Sequence, residues 1–323
     1  MNTMTFTEQK LREKPLNPAT LRELSARSDP QGLIRAASHY GAIVIVGALI
    51  WLVSRTYGIV WALPLIFIQG YFVAFLFMVV HETAHKTAFR SRALNLALGH
   101  LSSFAIWLPY EYYCLFHWDH HRYTQDPERD PELLVGPMPA SDTQLAIAYT
   151  GLLQMAYRVR LMFRHAFTGK VAAPWIPEGK RHIVVREARL YALGYAVLLL
   201  ASLALSTTIL LWVWIVPVLV GQLILRPYLY AEHTGCERTR NAFDNTRTTT
   251  TGTIMKWFTW NMPYHVEHHA YPSIPFHALP KLNRIVADQI VYRGQSYRAV
   301  TRETWNWFRR ERRNRIESVS GSR

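Results

Sequence analysis

The chain has 323 residues, half of them hydrophobic and 18% of them charged. That balance excludes a disordered chain, which combines low hydrophobicity with high charge, and two cysteines exclude a disulfide framework. The apolar residues gather into blocks near membrane-span length, which excludes an ordinary soluble domain, and the formal charge of +14 asks for an anionic partner or surface.

Residues 1–32 are polar and charged, so no cleavable signal peptide is expected and the segment is assigned to the cytoplasm. A membrane domain is expected over 33–285, beginning with an apolar block over 33–53 and a turn from Ser54 to Gly58. A second block covers 58–80, where Gln69 is the only strongly polar residue. Ala93 to Pro109 is apolar but contains Asn95, Gly99, His100, Ser102 and Ser103, and we read it as an interfacial or half-buried helix; Asp142 to Phe163 reads the same way. Leu190 to Leu225 is too long for one crossing, because a span needs ~20 residues to cover ~30 Å. It is divided at Ser206-Thr207-Thr208 into blocks over 190–206 and 207–225. Residues 286–323 form a basic cytoplasmic tail, in which an arginine run (Arg309, Arg310, Arg312, Arg313, Arg315) lies beside Trp305, Trp307 and Phe308. Such a tail suits a membrane surface or plain solvent better than a nucleic acid, and no nucleic-acid partner is expected.

Four crossings in two hairpins put both termini on one side. Arg55 is the one basic residue in the far turns, so the positive-inside rule assigns the termini and the central region to the cytoplasm. Cys114 and Cys236 then face a reducing compartment and remain thiols.

Of 14 histidines, eight fall into three clusters: His81 with His85, His117 with His120 and His121, and His265 with His268 and His269. Residues three and four apart share a helix face, so each cluster projects its imidazoles together. A single HxxxH arises readily by chance, but two HxxHH and one HxxxH in one chain do not. His81 starts where the second apolar block ends, and His233 lies eight residues beyond the fourth. Eight or nine imidazoles are too many for one ion and suit two, since a structural zinc takes four ligands. Zinc fits such ligands; iron would add the capacity to activate O2. Glu82, Asp119 and Glu267 lie inside the clusters. They read either as acceptors for imidazole N–H groups or as surface charges and caps.

These boxes, with His81-Glu-Thr-Ala-His-Lys-Thr-Ala-Phe89 and Tyr271-Pro-Ser-Ile-Pro-Phe-His-Ala-Leu-Pro280 around them, resemble the membrane fatty acid desaturase and hydroxylase superfamily over about residues 35 to 285. The resemblance implies an all-α integral membrane fold, with four transmembrane helices in two hairpins and a cytoplasmic helical cap holding a dimetal site. It implies two nonheme iron ions, O2 as co-substrate, and electrons from an external ferredoxin or cytochrome b5-type donor with its reductase. The implied ligands are His81, His85, His117, His120, His121, His265, His268 and His269, with His233 at the position of an additional family histidine. Asn261 and Asn245 are candidates for an outer contact. The expected activity is fatty acyl desaturation in a bacterial inner membrane. Hydroxylation, oxidative decarboxylation to a terminal alkene and carotenoid-type oxygenation share the same motifs. A metal transporter or a zinc scaffold is the alternative of another class.

Overall fold

The computed structural model describes residues 16–135 and 138–320. Residues 1–15 of the expected N-terminal segment and 321–323 of the expected tail lie outside the described residues. In chain order the elements are α1 (Pro18–Leu24), α2 (Asp29–Tyr57), α3 (Ile59–Ala84), α4 (Arg92–Ala105), α5 (Tyr110–Tyr123), α6 (Pro131–Leu134), α7 (Asp142–Tyr149), α8 (Leu152–Thr168), α9 (Arg181–Ala204), a π-helical turn (Leu211–Ile215) running into α10 (Val216–His233), α11 (Ala242–Asn245), β1 (Arg247–Thr249), α12 (Thr253–Phe258), α13 (His265–Ala270), α14 (Leu279–Val286), β2 (Tyr292–Gly294) and α15 (Tyr297–Ser320). The protein is mostly helical, and its chain forms two compact units.

The first unit comprises residues 28–116 and 151–225. Its α2 and α3 form a hairpin whose turn is Gly58, at φ +95°, a conformation open to glycine at no steric cost. Ser28 caps α2, its Oγ accepting from the Gln31 N–H at 3.4 Å, and Pro30 follows at the first turn, so the helix starts ahead of the apolar block. Among the described residues three helices are long and apolar enough to cross a membrane: Asp29–Tyr57, Ile59–Ala84 and Leu211–His233. The expected crossing at 190–206 falls in α9. That helix is not one of the three, because Arg181, Arg186, Glu187 and Arg189 occupy its first half. Its end at Ala204 and the left-handed Ser206 (φ +47°) break the chain where the Ser-Thr-Thr signal placed the turn.

Gln69 sits inside the apolar hairpin without an unmet donor. Its Nε2 donates to the Ile43 carbonyl at 3.1 Å and to the Val213 carbonyl of the π-helical turn at 3.2 Å. Backbone carbonyls thus take up the amide hydrogens of this buried side chain. Close helix approach accounts for two glycines. A Cβ on Gly221 would overlap the Gly70 carbonyl oxygen and come within 2.8 Å of the Ala74 Cβ. Gly221→Val is expected to lower stability by at least about 1–3 kcal/mol, the usual cost of overpacking. Gly41→Ala, where an added Cβ meets nothing within 4 Å, is expected to leave the melting temperature in detergent unchanged or raised.

Ala93 to Pro109 becomes α4, whose 14 residues extend only about 21 Å, short of a bilayer core. The Asp142–Phe163 stretch is not one helix but two. Gly151 at φ +70° separates α7 from α8, because a left-handed residue cannot continue a right-handed helix.

The second unit comprises the described residues of 1–27, 117–150 and 226–323. β1 and β2 pair in parallel, Arg247 opposite Tyr292 and Thr249 opposite Gly294. The basic C-terminal stretch is the helix α15. Thr301, Thr304, Trp305 and Phe308 recur at helical spacing and share one face. The Thr304 hydroxyl meets the Tyr149 hydroxyl at 2.6 Å, and the rings of Trp305 and Phe308 lie 5.2 and 6.4 Å from that of Tyr149. Arg309 and Arg312 pair with Asp142 of α7 at 3.3 and 2.6 Å.

Candidate metal centre

Each histidine cluster lies on a helical turn. His81 is in the last turn of α3, and His85, its C-cap, keeps αR geometry, so the two rings stand 5.4 Å apart in the first unit. α5 carries His117, His120 and His121, and α13 carries His265, His268 and His269. α10 continues beyond the apolar block to end on His233. The hydropathy boundary at Leu225 marks where apolar residues stop, not where backbone hydrogen bonding stops.

Within the second unit the imidazoles form two groups. In one, His117, His121 and His268 offer nitrogens within 4.8 Å of one another. His121 Nε2 is 3.1 Å from His117 Nε2 and 3.1 Å from His268 Nε2. In the other, His120, His233 and His269 do the same. There His233 Nε2 is 3.2 Å from His120 Nε2 and 3.2 Å from His265 Nε2. Two imidazole nitrogens bound to one ion at about 2.1 Å, at angles between octahedral and tetrahedral, are separated by about 3.0–3.4 Å. Both groups have that spacing.

The outer partners decide which nitrogen carries the proton. His120 Nδ1 faces Asp130 Oδ1 at 2.9 Å, and His233 Nδ1 faces the Asn245 carbonyl at 3.2 Å. A carboxylate and a carbonyl only accept, so each Nδ1 carries hydrogen and each neutral ring turns a bare Nε2 lone pair inward. Two lone pairs at 3.2 Å repel unless a proton or a metal ion lies between them. The buried Nε2 of His269 also lacks a hydrogen-bond partner among the described residues, and its Nδ1 faces the Thr124 hydroxyl at 3.3 Å. Burial opposes charge on His120, yet Asp130 and Glu132 outweigh it and lift its pKa to about 9. Burial, with the neighbouring imidazoles, holds His269 well below the ordinary value. The donor set therefore fits metal ions that take nitrogen ligands.

The carboxylates inside the boxes have other partners. Glu82 is buried and its Oε2 accepts from the Thr87 hydroxyl at 2.9 Å. Asp119 is half-buried and pairs with Arg122 at 3.3 Å. Glu267 is buried and accepts from the Thr248 hydroxyl and the Asn283 amide. Asn261 donates to the Phe276 carbonyl at 3.0 Å, and the Asn245 side chain donates to the Thr239 carbonyl at 2.9 Å.

A sequence model described as "Fatty acid desaturase" matches residues 59–301. The chain belongs to the fatty acid desaturase family. It is 26% identical over 240 residues to a dihydrorhizobitoxine desaturase of Bradyrhizobium elkanii, covering 70% of this chain and 68% of that protein. It is 29% identical to a sphingolipid delta(4)-desaturase of Drosophila melanogaster, covering 66% of this chain and 62% of the relative. With a zeaxanthin 4-ketolase of Chlamydomonas reinhardtii it shares 26% identity, over 65% of this chain and 41% of the relative. The chain thus spans less than two thirds of the length of two of these three relatives. Family and apolar helices together make it a membrane oxidoreductase.

Two features around the histidines were not singled out by spacing. Glu232 Oε1 lies 3.6 Å from His265 Nδ1; its only sequence signal is its place next to His233. Arg247 donates to the carbonyls of Ala231 and Thr234 at 2.7 and 3.0 Å, closing the C-terminal end of α10 beside His233. Outer contacts to the histidines come from two stretches, 126–132 and 245–250. The first supplies Asp130. The second supplies the Asn245 carbonyl, Arg247, and Thr248, whose hydroxyl accepts from the Val266 N–H at 3.2 Å in the third box.

Proposed function

We propose that this chain is an O2-dependent oxidase of unactivated C–H bonds in a lipid-like substrate, and specifically a fatty acyl desaturase. His81, His85, His117, His120, His121, His233, His265, His268 and His269 would hold two iron ions. The observation that carries the reading is the two groups of imidazoles whose nitrogens face one another at 3.1–3.2 Å, with outer hydrogen bonds at His120 and His233 that turn Nε2 inward. Bound iron would supply the capacity to activate O2 for oxidation of a C–H bond; zinc with the same ligands would supply none.

The chain's own groups orient the ligands. Asp130 and the Asn245 carbonyl hold the tautomers of His120 and His233, Glu232 faces His265, and Thr124 faces His269. Glu267 and Thr248 tie α13 to β1, which keeps the third box in register. Glu82, Asp119 and Asn261 are assigned to the supporting structure around the boxes. Burial of most of these rings excludes water, which strengthens each interaction. A cavity of about 60 Å³ beside His121 and His269, lined also by Arg122, Thr124, Arg240 and Asn245, has room for O2 or water.

In desaturation two protons and two electrons leave adjacent carbons. Two further electrons enter from an external ferredoxin or cytochrome b5-type carrier, two further protons enter from solvent, and O2 leaves as two waters. The termini and histidines are assigned to the cytoplasmic face of a bacterial inner membrane. The ketolase among the relatives favours oxygen insertion, as in hydroxylation, as the second reading. Expression with iron, O2 and a reductase system, followed by mass spectrometry of lipids, tests both. A product lighter by two hydrogens is expected. A product heavier by one oxygen selects the second reading. Stoichiometric zinc, with no O2 consumption after iron reconstitution, overturns the oxidase altogether.

A further inference from the structure

We propose that Glu187 is a positioning residue for the second histidine box, its carboxylate clamping the N-terminus of α5; the positioning part rests on the metal reading above. The first-turn N–H groups of any helix lack intrahelical acceptors and need a cap. The residues before α5, Leu108 and Pro109, have no side-chain acceptor to offer. The acceptor comes instead from α9, 76 residues away. Glu187 Oε1 accepts from the Glu111 N–H at 2.9 Å, and Oε2 accepts from the N–H groups of Glu111 at 3.0 Å and Tyr112 at 3.3 Å.

This carboxylate is 5% exposed, so it sits where a surface capping residue would not. The neighbouring α4 is drawn against the same turn. A Cβ on Gly99 would lie 2.5 Å from the Tyr110 ring and 2.9 Å from the Thr83 hydroxyl. α5 is one continuous helix, and His117, the first ligand of the box, stands seven residues beyond Tyr110. A clamp on two successive first-turn amides fixes both the rise and the rotation of a helix. It therefore sets the rise and rotation with which α5, the helix that carries all three imidazoles of the box, leaves its first turn.

The groups around Glu187 are His100 on α4, whose Nδ1 is 3.4 Å from Oε1, Glu111, Tyr110 and Cys114 on α5, and Tyr191 and Tyr195 on α9. Burial, with the Glu111 charge adding to it, pushes the Glu187 carboxyl up to about 7 against the amides that favour ionisation. The anion is the stronger acceptor at a helix N-terminus, so the clamp tightens as pH rises through that value.

Hydrogen exchange of the full-length protein in detergent reads the clamp without any metal. Relative to wild type at pH 8, and after correction for intrinsic rates, the amides of Glu111 and Tyr112 are expected to exchange at least tenfold faster in Glu187→Ala and by an intermediate amount in Glu187→Gln, which keeps one acceptor oxygen. Wild-type protection is expected to step upward between pH 6 and 8, and Glu187→Gln to show no step. Co2+ reads the positioning: its visible spectrum in the protein is expected to shift in Glu187→Gln, with weaker uptake. Unchanged exchange at the two amides overturns the clamp, and Glu187→Gln supplies that measurement should Glu187→Ala fail to fold. Altered exchange with an unaltered Co2+ spectrum and affinity overturns the positioning role. A wild-type protein that takes up no Co2+ removes the metal reading and the positioning role together, while the exchange result still judges the clamp by itself.

Discussion

His233→Ala is expected to lose one of two bound iron equivalents and to reduce O2-dependent turnover more than about 100-fold, since even an outer partner of a metal ligand costs about 10–100-fold when removed. His233 is the centre of its group. Its Nε2 faces both His120 and His265 at 3.2 Å, and its Nδ1 is held by the Asn245 carbonyl. Alanine there removes one imidazole and leaves His120, His265 and His269 facing an enlarged gap. The main chain loses little, because Arg247 still closes the end of α10. Iron analysis on purified protein, product analysis on the same sample and membrane fractionation separate loss of the site from loss of the fold. Membrane-inserted His233→Ala with wild-type iron and turnover would remove His233 from the ligand set.

Asp130→Asn is the second large effect. Both oxygens of Asp130 are in use. Oδ1 accepts from His120 Nδ1 and the Glu132 N–H, each at 2.9 Å, and Oδ2 accepts from the Gln125 N–H at 2.8 Å. An amide can present oxygen to only one side, so its NH2 must face a second donor whichever way it turns. The His120 ring then loses either its tautomer or the loop that holds it. Metal affinity, measured by competition with a chelator, is expected to fall by about 10–100-fold. Asp119→Asn, a change of the same chemistry at a half-buried residue paired with Arg122, is the control and is expected to leave affinity unchanged. Equal losses in the two variants would deny Asp130 its special place.

Much of the architecture was legible. The hairpin turn at Gly58 and the break at Ser206 follow from local chemistry, a glycine with positive φ and a run of hydroxyl residues between apolar blocks. The helical turns under His81, His117 and His265 follow from spacing alone. Helix ends were less legible. α10 runs on to His233, and α15 is a packed helix rather than bare tail, because hydropathy reports burial in lipid and is silent about helices held by Asp142, Tyr149 and Thr304. The low hydrophobicity of α9's first half likewise reflects Glu187 and its neighbours, whose work is capping and packing.

The amino-acid sequence by itself determined which imidazoles can share a face, since three- and four-residue spacing on a helix is a local rule that needs no partner. It also determined where apolar runs are long enough for lipid. Only the tertiary structure decided what orients the rings. Asp130, Glu232, Arg247 and the Asn245 carbonyl reach His120, His265, the end of α10 and His233 through the way loops fold back. A hydrogen bond between residues far apart in the chain leaves no periodic mark in the residues that make it.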